Sequence, residues 1–205
     1  MSFEQTVKVP HERVGVIIGK SGETKKHLED ILGITLEIDS KEGSIKIKSV
    51  SLDKSDPLTA VRVIEAIARG FSPERALKLV EKGIVLEMID LREYAGKSES
   101  ALQRLRGRII GLKGKSRKAI EELTGCYISV YGRTVSIIGN IEGIHLASNA
   151  VRMLASGSQH KKVYNMLERA KSRKKIERMI LWEGLSPEEV EKKLGQRISD
   201  LPEGV

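Results

Sequence analysis

Apolar residues along this chain switch between two spacings, and the switches mark its elements. Residues Glu4 to Val9 alternate weakly and stop at Pro10, which predicts a strand. Val14 to Ile18 forms a short apolar helical turn, and Gly19-Lys20-Ser21-Gly22 interrupts it. From Glu23 to Leu32, Leu28, Ile31 and Leu32 gather on one side and Lys25, Lys26 and Glu29 on the other, an amphipathic helix that ends at Gly33. Ile34, Leu36 and Ile38, then Ile45 and Ile47, predict two strands joined by a turn at Lys41-Glu42-Gly43. Asp56 and Pro57 open a helix through Ile67, and Ser72-Pro73-Glu74 a short one through about Val80.

The same order then returns. Ile84 to Leu91 reads as a strand, Arg92 to Lys97 as a loop and Ser98 to Ile110 as a helix. After the turn Gly111-Leu112-Lys113-Gly114 comes a helix from Lys115 to Thr124, stopped by Gly125. Strands at Tyr127–Tyr131 and Thr134–Ile138 flank Gly132-Arg133, and helices follow at Ile141–Leu154, Lys161–Lys175 and Ser186–Leu194. A shift of 92 lays Gly15, Ile17, Ile18, Gly19, Gly22, Lys26, Glu29 and Gly33 on Gly107, Ile109, Ile110, Gly111, Gly114, Lys118, Glu121 and Gly125. A shift of 90 then lays Ala60-Val61-Arg62 on Ala150-Val151-Arg152. The prediction is an α+β chain of two repeated units, each a three-stranded antiparallel sheet with helices on one face. The expected divisions are residues 1–83, 84–160 and a basic helical extension at 161–205. The short linker at Glu81 to Ile84 predicts a fixed pair, braced by the segments Ser72–Lys82 and Lys161–Lys175.

Charge separates the two units. Residues 1–83 hold 14 Lys and Arg against 13 Asp and Glu, whereas residues 84–205 hold 22 against 15. Seven cations, Arg104, Arg106, Arg108, Lys113, Lys115, Arg117 and Lys118, precede the next acid around the second glycine turn. Glycine at both ends lets a ligand approach the backbone, and the following helix points its free N–H groups at the turn, so the site suits a phosphate chain. Cys126 is the only cysteine, which excludes an intrachain disulfide and fits a reducing compartment. With no signal peptide or long apolar run, the expectation is a soluble cytoplasmic protein. Aromatics make up 3% of the residues, so base stacking on aromatic rings is minor. The high charge, with few Asn and Gln, fits a thermophile.

Ile-Ile-Gly-x-x-Gly between two helices, then strand, variable loop, strand and helix, resembles the type I KH domain, twice over. The second copy, LTGCYISVYGRTVSIIG, followed by GSQHKKVYNMLERAKSR, resembles the KH proteins of small-ribosomal-subunit assembly, in particular the archaeal form of the family called partner of Nob one, Dim two or Krr-like. The resemblance implies single-stranded RNA binding near the 3′ end of small-subunit ribosomal RNA, with the maturation endonuclease or a translation initiation factor as protein partners. It implies clamps at Gly19, Lys20, Ser21 and Gly22 and at Gly111, Leu112, Lys113 and Gly114. Lys113 and the amides of Gly111 to Gly114 would hold phosphates, with Arg108, Lys115, Arg117 and Lys118, and in the first copy Lys25 and Lys26, adding attraction. Ile109, Ile110, Ile120 and Val130 would touch bases, helped by backbone groups of the Ser129 strand; Ile17, Ile18, Leu28 and Ile38 are their first-copy counterparts.

Other readings stand beside this one. The first copy is either an RNA reader or a packing module, and the whole chain either an RNA binder or a protein adaptor for initiation or assembly factors. Gly114-Lys115-Ser116 and Gly19-Lys20-Ser21 lack the upstream glycine of a P-loop, since positions 109 and 14 are Ile109 and Val14. His11, His27, His145 and His160 lack ligand spacing, so no metal or other cofactor is expected, and no set of acid, base and nucleophile suggests an enzyme. Cys126 reads as a core residue, and Trp182 as a packing anchor or a partner contact. The run Lys171, Arg173, Lys174, Lys175 and Arg178 is either a solvated face or an RNA contact.

Overall fold

The computed structural model describes residues 3–49 and 56–184, with the isolated positions Ser186, Glu189 and Lys192 beyond. The helix expected at Ser186–Leu194 and the side chain of Trp182 therefore lie outside the described residues. The first unit runs β1 (Phe3–Lys8), α1 (His11–Ile18), α2 (Glu23–Leu32), β2 (Thr35–Asp39), β3 (Ser44–Ser49) and α3 (Pro57–Ala68). A short helix α4 (Pro73–Ala76) and a 3-10 turn (Leu77–Val80) lead to the second unit. This runs β4 (Ile84–Asp90), α5 (Arg92–Ala95), α6 (Glu99–Ile110), α7 (Lys115–Thr124), β5 (Tyr127–Tyr131), β6 (Thr134–Asn140) and α8 (Ile141–Ala155), and α9 (His160–Glu183) follows.

Each unit holds one antiparallel sheet, ordered β1-β3-β2 in the first and β4-β6-β5 in the second. Period-two alternation decides what each face buries. In the first sheet Val7, Leu36, Ile45 and Ile47 turn inward under α1, α2 and α3, while Thr6, Lys46, Glu37 and Thr35 stay exposed on the other face. In the second sheet Ile89, Ile128, Val135 and Ile137 face α6, α7 and α8.

The opposite face of the second sheet is covered over most of its area, with Met88 of β4 left exposed. Ile138 is fully buried and belongs to the first unit's core, against which Ile84 and Leu86 also pack. Full burial of one such side chain contributes roughly 1.5–3 kcal/mol. Strand β6 is consequently buried on both faces from Thr134 to Gly139. The seam is closed by α4 and the 3-10 turn, which pack on α3 and on the second sheet.

Two elements differ from expectation. Arg92–Ala95 is helical rather than a loop, because the Asp90 carboxylate accepts the Arg92 amide at 2.9 Å and nucleates a turn. Helix α9 continues past Lys175 to Glu183, with no glycine or proline before Gly184 to stop it. Its Lys, Arg, Glu, Met and Leu residues favour the helix even where no apolar stripe is readable. That helix packs on α7 and α8 and places Val163 and Leu167 in the second core, so it braces the second unit rather than joining the two halves.

Candidate nucleic-acid interface

The two glycine turns have one backbone conformation. Gly19 has φ 73° and ψ −178°, and Gly111 has φ 71° and ψ 174°, values that only glycine adopts readily. A Cβ on Gly19 would lie 2.6 Å from Thr24 Cβ, and one on Gly111 2.7 Å from Ser116 Cβ. Both the strained angles and the close approach to the next helix thus require glycine there. Ser21 (φ 54°) and Lys113 (φ 52°) are the only non-glycine residues at positive φ among the described residues, and they are equivalent. In the second loop the Gly111 amide donates to Gly107 O and the Gly114 amide to Gly111 O, at 2.8 and 3.1 Å. The loop's open donors are therefore the amides of Leu112 and Lys113, not those of all four residues. Leu112 is 78% exposed, so the tip stands clear of the core.

Charge around the loops is unequal. Lys113, Lys115 and Lys118 are exposed, and Arg117 is partly covered, its Nε 3.9 Å from Glu121. The first turn of α7 holds no acid, whereas that of α2 holds Glu23, the counterpart of Lys115. Lys20 and Lys26 are exposed, and Lys25 lies 3.8 Å from Glu29.

Several side chains expected at the interface are elsewhere. The Arg108 guanidinium donates from Nε to Leu154 O at 2.9 Å and from Nη2 to Ser158 O, so it satisfies carbonyls at the end of α8 and is not a free phosphate ligand. Arg13 does the same in the first unit, donating to Ile67 O and Phe71 O. Ile109 and Ile120, like Ile17 and Leu28, are completely buried, because their positions on the helices face the sheet. The half-buried Ile110 and Val130 remain at the groove between the glycine-loop helices and the edge strand β5, and Ile18 and Ile38 at its counterpart beside β2 in the first copy. Ser129 points away from it, and its hydroxyl donates to Arg69 O across the seam at 2.9 Å.

A carboxylate not singled out as a site residue takes a repeated place instead. Glu121 Oε1 accepts the amide of Ile128 at 2.8 Å, and Glu29 Oε1 accepts that of Leu36 at 2.7 Å. The amides of Ile128 and Leu36 therefore point outward from the edge strands β5 and β2. Alternation puts the backbone groups of Val130 and Ile38 on the same open edges, beside the half-buried side chains. Glu29 and Glu121 coincide under the shift of 92, and that identity at non-core positions was the available signal.

No described group of three or more His, Cys, Asp and Glu residues could hold a metal, and no described helix is long and apolar enough to cross a membrane. Cys126 is buried between β6 and α8, and that burial pushes its thiol above the ordinary value.

Comparison with known proteins agrees with this geometry. Residues 4–66 match the KH domain, and residues 85–172 match the eukaryotic type KH-domain (KH-domain type I). The second match runs on into α9. A KH domain-containing protein of Methanocaldococcus jannaschii is 44% identical over 181 residues, which cover 87% of this chain and 78% of that protein. The crystal structure of Dim2p from Pyrococcus horikoshii shares 46% identity with a TM-score of 0.76, covering 82% of this chain and 99% of that one. A chain of the a/eIF2alpha–aDim2p–rRNA complex from the same organism shares 45% identity with a TM-score of 0.78, covering 84% and 96%. A protein of unknown function from Aeropyrum pernix, 36% identical, has a TM-score of 0.83 and covers 90% and 100%. With two glycine loops of one conformation, each between the same helices and beside the same open strand edge, the chain belongs to the family of tandem type I KH-domain proteins that includes archaeal Dim2p.

Proposed function

We propose that this protein binds single-stranded RNA during assembly of the small ribosomal subunit, acting in the cytoplasm by binding alone, without catalysis. The carrying observation is the second loop: two open amides at Leu112 and Lys113, three exposed lysines and no acid in the first turn of the helix behind them. A backbone of phosphates fits that arrangement, because amides and helix dipole supply short-range donors while the lysines supply the longer-range field. The related Dim2p crystallised with ribosomal RNA supports the choice of RNA. The assignment extends to a stretch near the 3′ end of small-subunit ribosomal RNA.

In this reading Gly111, Leu112, Lys113 and Gly114 clamp the sugar-phosphate chain, and Lys115, Arg117 and Lys118 add attraction. Ile110 and Val130 contact bases, with the open backbone groups of β5 reading base edges. The first loop, Gly19 to Gly22 with Lys20, Lys25 and Lys26, is a weaker site of the same kind.

The alpha subunit of an initiation factor in that same complex favours a second role, as an adaptor that docks such a factor while holding RNA. Salt separates the two contributions. Titrating a labelled RNA from the 3′ end of small-subunit ribosomal RNA at several ionic strengths is expected to give a log-log slope of about −0.7 for each phosphate held. A flat response would remove RNA binding as the primary role and leave the adaptor.

A further inference from the structure

The outer face of β5 is occupied at every second residue, and each occupant comes from the first unit. Arg75 of α4 stacks its guanidinium 5.1 Å from the Tyr127 ring centre. The Ser129 hydroxyl donates to the carbonyl of Arg69, at the end of α3. The Tyr131 hydroxyl donates to Glu12 of α1 at 3.0 Å, and burial, with Glu12 beside it, holds that phenol above its ordinary value. Packing around Gly70 is tight as well, since a Cβ there would lie 2.7 Å from Ser129 Oγ and 3.0 Å from Tyr131 Cβ.

Arg75 reaches further than the seam. Its Nη1 lies 3.5 Å from Glu121 Oε1, the oxygen that accepts the outward amide of Ile128. The carboxylate that fixes the edge of the second groove is therefore partly neutralised by a cation from the first unit. Glu29, its first-unit counterpart, has only Lys25 of its own helix as an ion-pair partner among the described residues. The matching face of β2, at Thr35, Glu37 and Asp39, is exposed, and Glu37 pairs with Lys48 of the neighbouring strand.

An edge strand has hydrogen-bonded neighbours on one side only, and its free side is where local opening is easiest. A strand that reads bases through its free edge binds better if it is already fixed, because less ordering remains to be done on binding. We propose that the first unit is the scaffold of the second unit's reading strand: Arg75, Arg69 and Glu12 hold β5 through Tyr127, Ser129 and Tyr131, and Arg75 joins Arg117 in pairing with Glu121 beneath the groove. Affinity in the second groove then depends on residues of the first unit that never touch RNA. This rests on the RNA-binding reading above and adds that the two units bind as one device.

The test uses the full chain with Arg75→Gln, Ser129→Ala and Tyr131→Phe together, beside a control with Thr35→Ala, Glu37→Gln and Asp39→Asn on β2. Three readouts are taken: the dissociation constant for the labelled RNA, its salt slope, and amide exchange along β5. The seam variant is expected to weaken binding about threefold to tenfold, in the lower part of the range of coupling through a shared network. Its salt slope stays the same, since no phosphate contact is removed, and the Ser129 and Tyr131 amides, which face β6, exchange faster. The control leaves affinity unchanged. Arg75→Gln alone, at a partly exposed position that preserves the fold, gives a smaller loss, and that loss disappears in a Glu121→Gln background. Unchanged affinity in the seam variant would overturn the proposal. So would a slope reduced by about 0.7, which would make Arg75 a direct phosphate ligand. Leu112→Asp with Lys113→Asp, run in parallel, separates this from the parent reading: if that pair also binds normally, it is RNA binding at the clamp that has failed.

Discussion

Position for position, the first loop and the residue after it read Gly19, Lys20, Ser21, Gly22, Glu23, and the second Gly111, Leu112, Lys113, Gly114, Lys115. The backbones coincide, down to the pair of non-glycine residues at positive φ. What differs is the charge around the open amides, and at one position it differs in sign. Glu23 at a helix start is favourable for the helix itself, because a carboxylate there meets the positive end of the dipole. For a phosphate ligand the same carboxylate is a competitor. Lys115 reverses both effects, giving up some helix stability for anion affinity. Conformation is common to the two copies, and affinity is set by a few side chains laid over it.

The largest effect is expected where the copies agree. Gly19→Ala and Gly111→Ala each force a residue into a region open essentially to glycine and press a methyl into the next helix, a combined destabilisation of about 2–5 kcal/mol. Thermal unfolding of the two variants should show similar losses, and a tolerated substitution at one site alone would mean that the loops are not equivalent.

Next comes the clamp itself. Leu112→Asp with Lys113→Asp is expected to weaken single-stranded RNA binding at least tenfold, about 1.4 kcal/mol, with the fold intact because both residues are exposed. Lys20→Asp with Ser21→Asp should cost only a few-fold, about 0.5–1 kcal/mol. Fluorescence titration at one ionic strength decides the order, and equal losses would make the first copy a full reader.

A third comparison concerns Arg13 and Arg108. Replacing either by Ala should lower stability by about 1–2 kcal/mol, the net worth of partly buried bonds to carbonyls, and leave the salt slope of RNA binding unchanged. A shallower slope for Arg108→Ala would return it to the phosphate-binding set. The smallest expected effect is a gain. Glu23→Lys should strengthen binding to the first loop about twofold to threefold at low salt, since an exposed charge near a phosphate contributes under about 1 kcal/mol. Titration in the Leu112→Asp, Lys113→Asp background isolates it, and no gain would show that charge is not what distinguishes the copies.

Much of this is legible in the residues themselves. The register of Gly19 with Gly111 and Gly33 with Gly125 fixed the loop and the helix stop, and alternation at Leu36, Ile38, Ile45 and Ile47 fixed the first sheet. Periodicity cannot say which apolar residue lies beneath a groove and which lines it, and so Ile109 and Ile120 were placed one layer too high. Arg108 was misread for a different reason. Under the shift of 92 Arg13 falls on Leu105, three residues from Arg108, so no alignment pairs the two arginines. Under the shift of 90 the end of α3 at Ala68 falls on Ser158, three residues beyond the end of α8 at Ala155. The helix stops about one turn sooner, and the arginine that meets its last carbonyls has moved by a turn on the neighbouring helix. The seam was hidden for a third reason: Tyr127, Ser129 and Tyr131 alternate with apolar residues as solvent-facing positions do, and only tertiary packing shows that they face protein.

Strand β6, covered on both sides, bears on how such a molecule can be made and divided. A ribosome releases the first unit ahead of the second, with a hole where Ile138 belongs and with bare patches where Ile84 and Leu86 will lie. That unfinished surface is the template on which the later sheet settles. A gene cut near codon 84 would therefore yield two fragments with exposed greasy faces in place of two working modules. Two repeats in the sequence thus share one interior and stand or fall together.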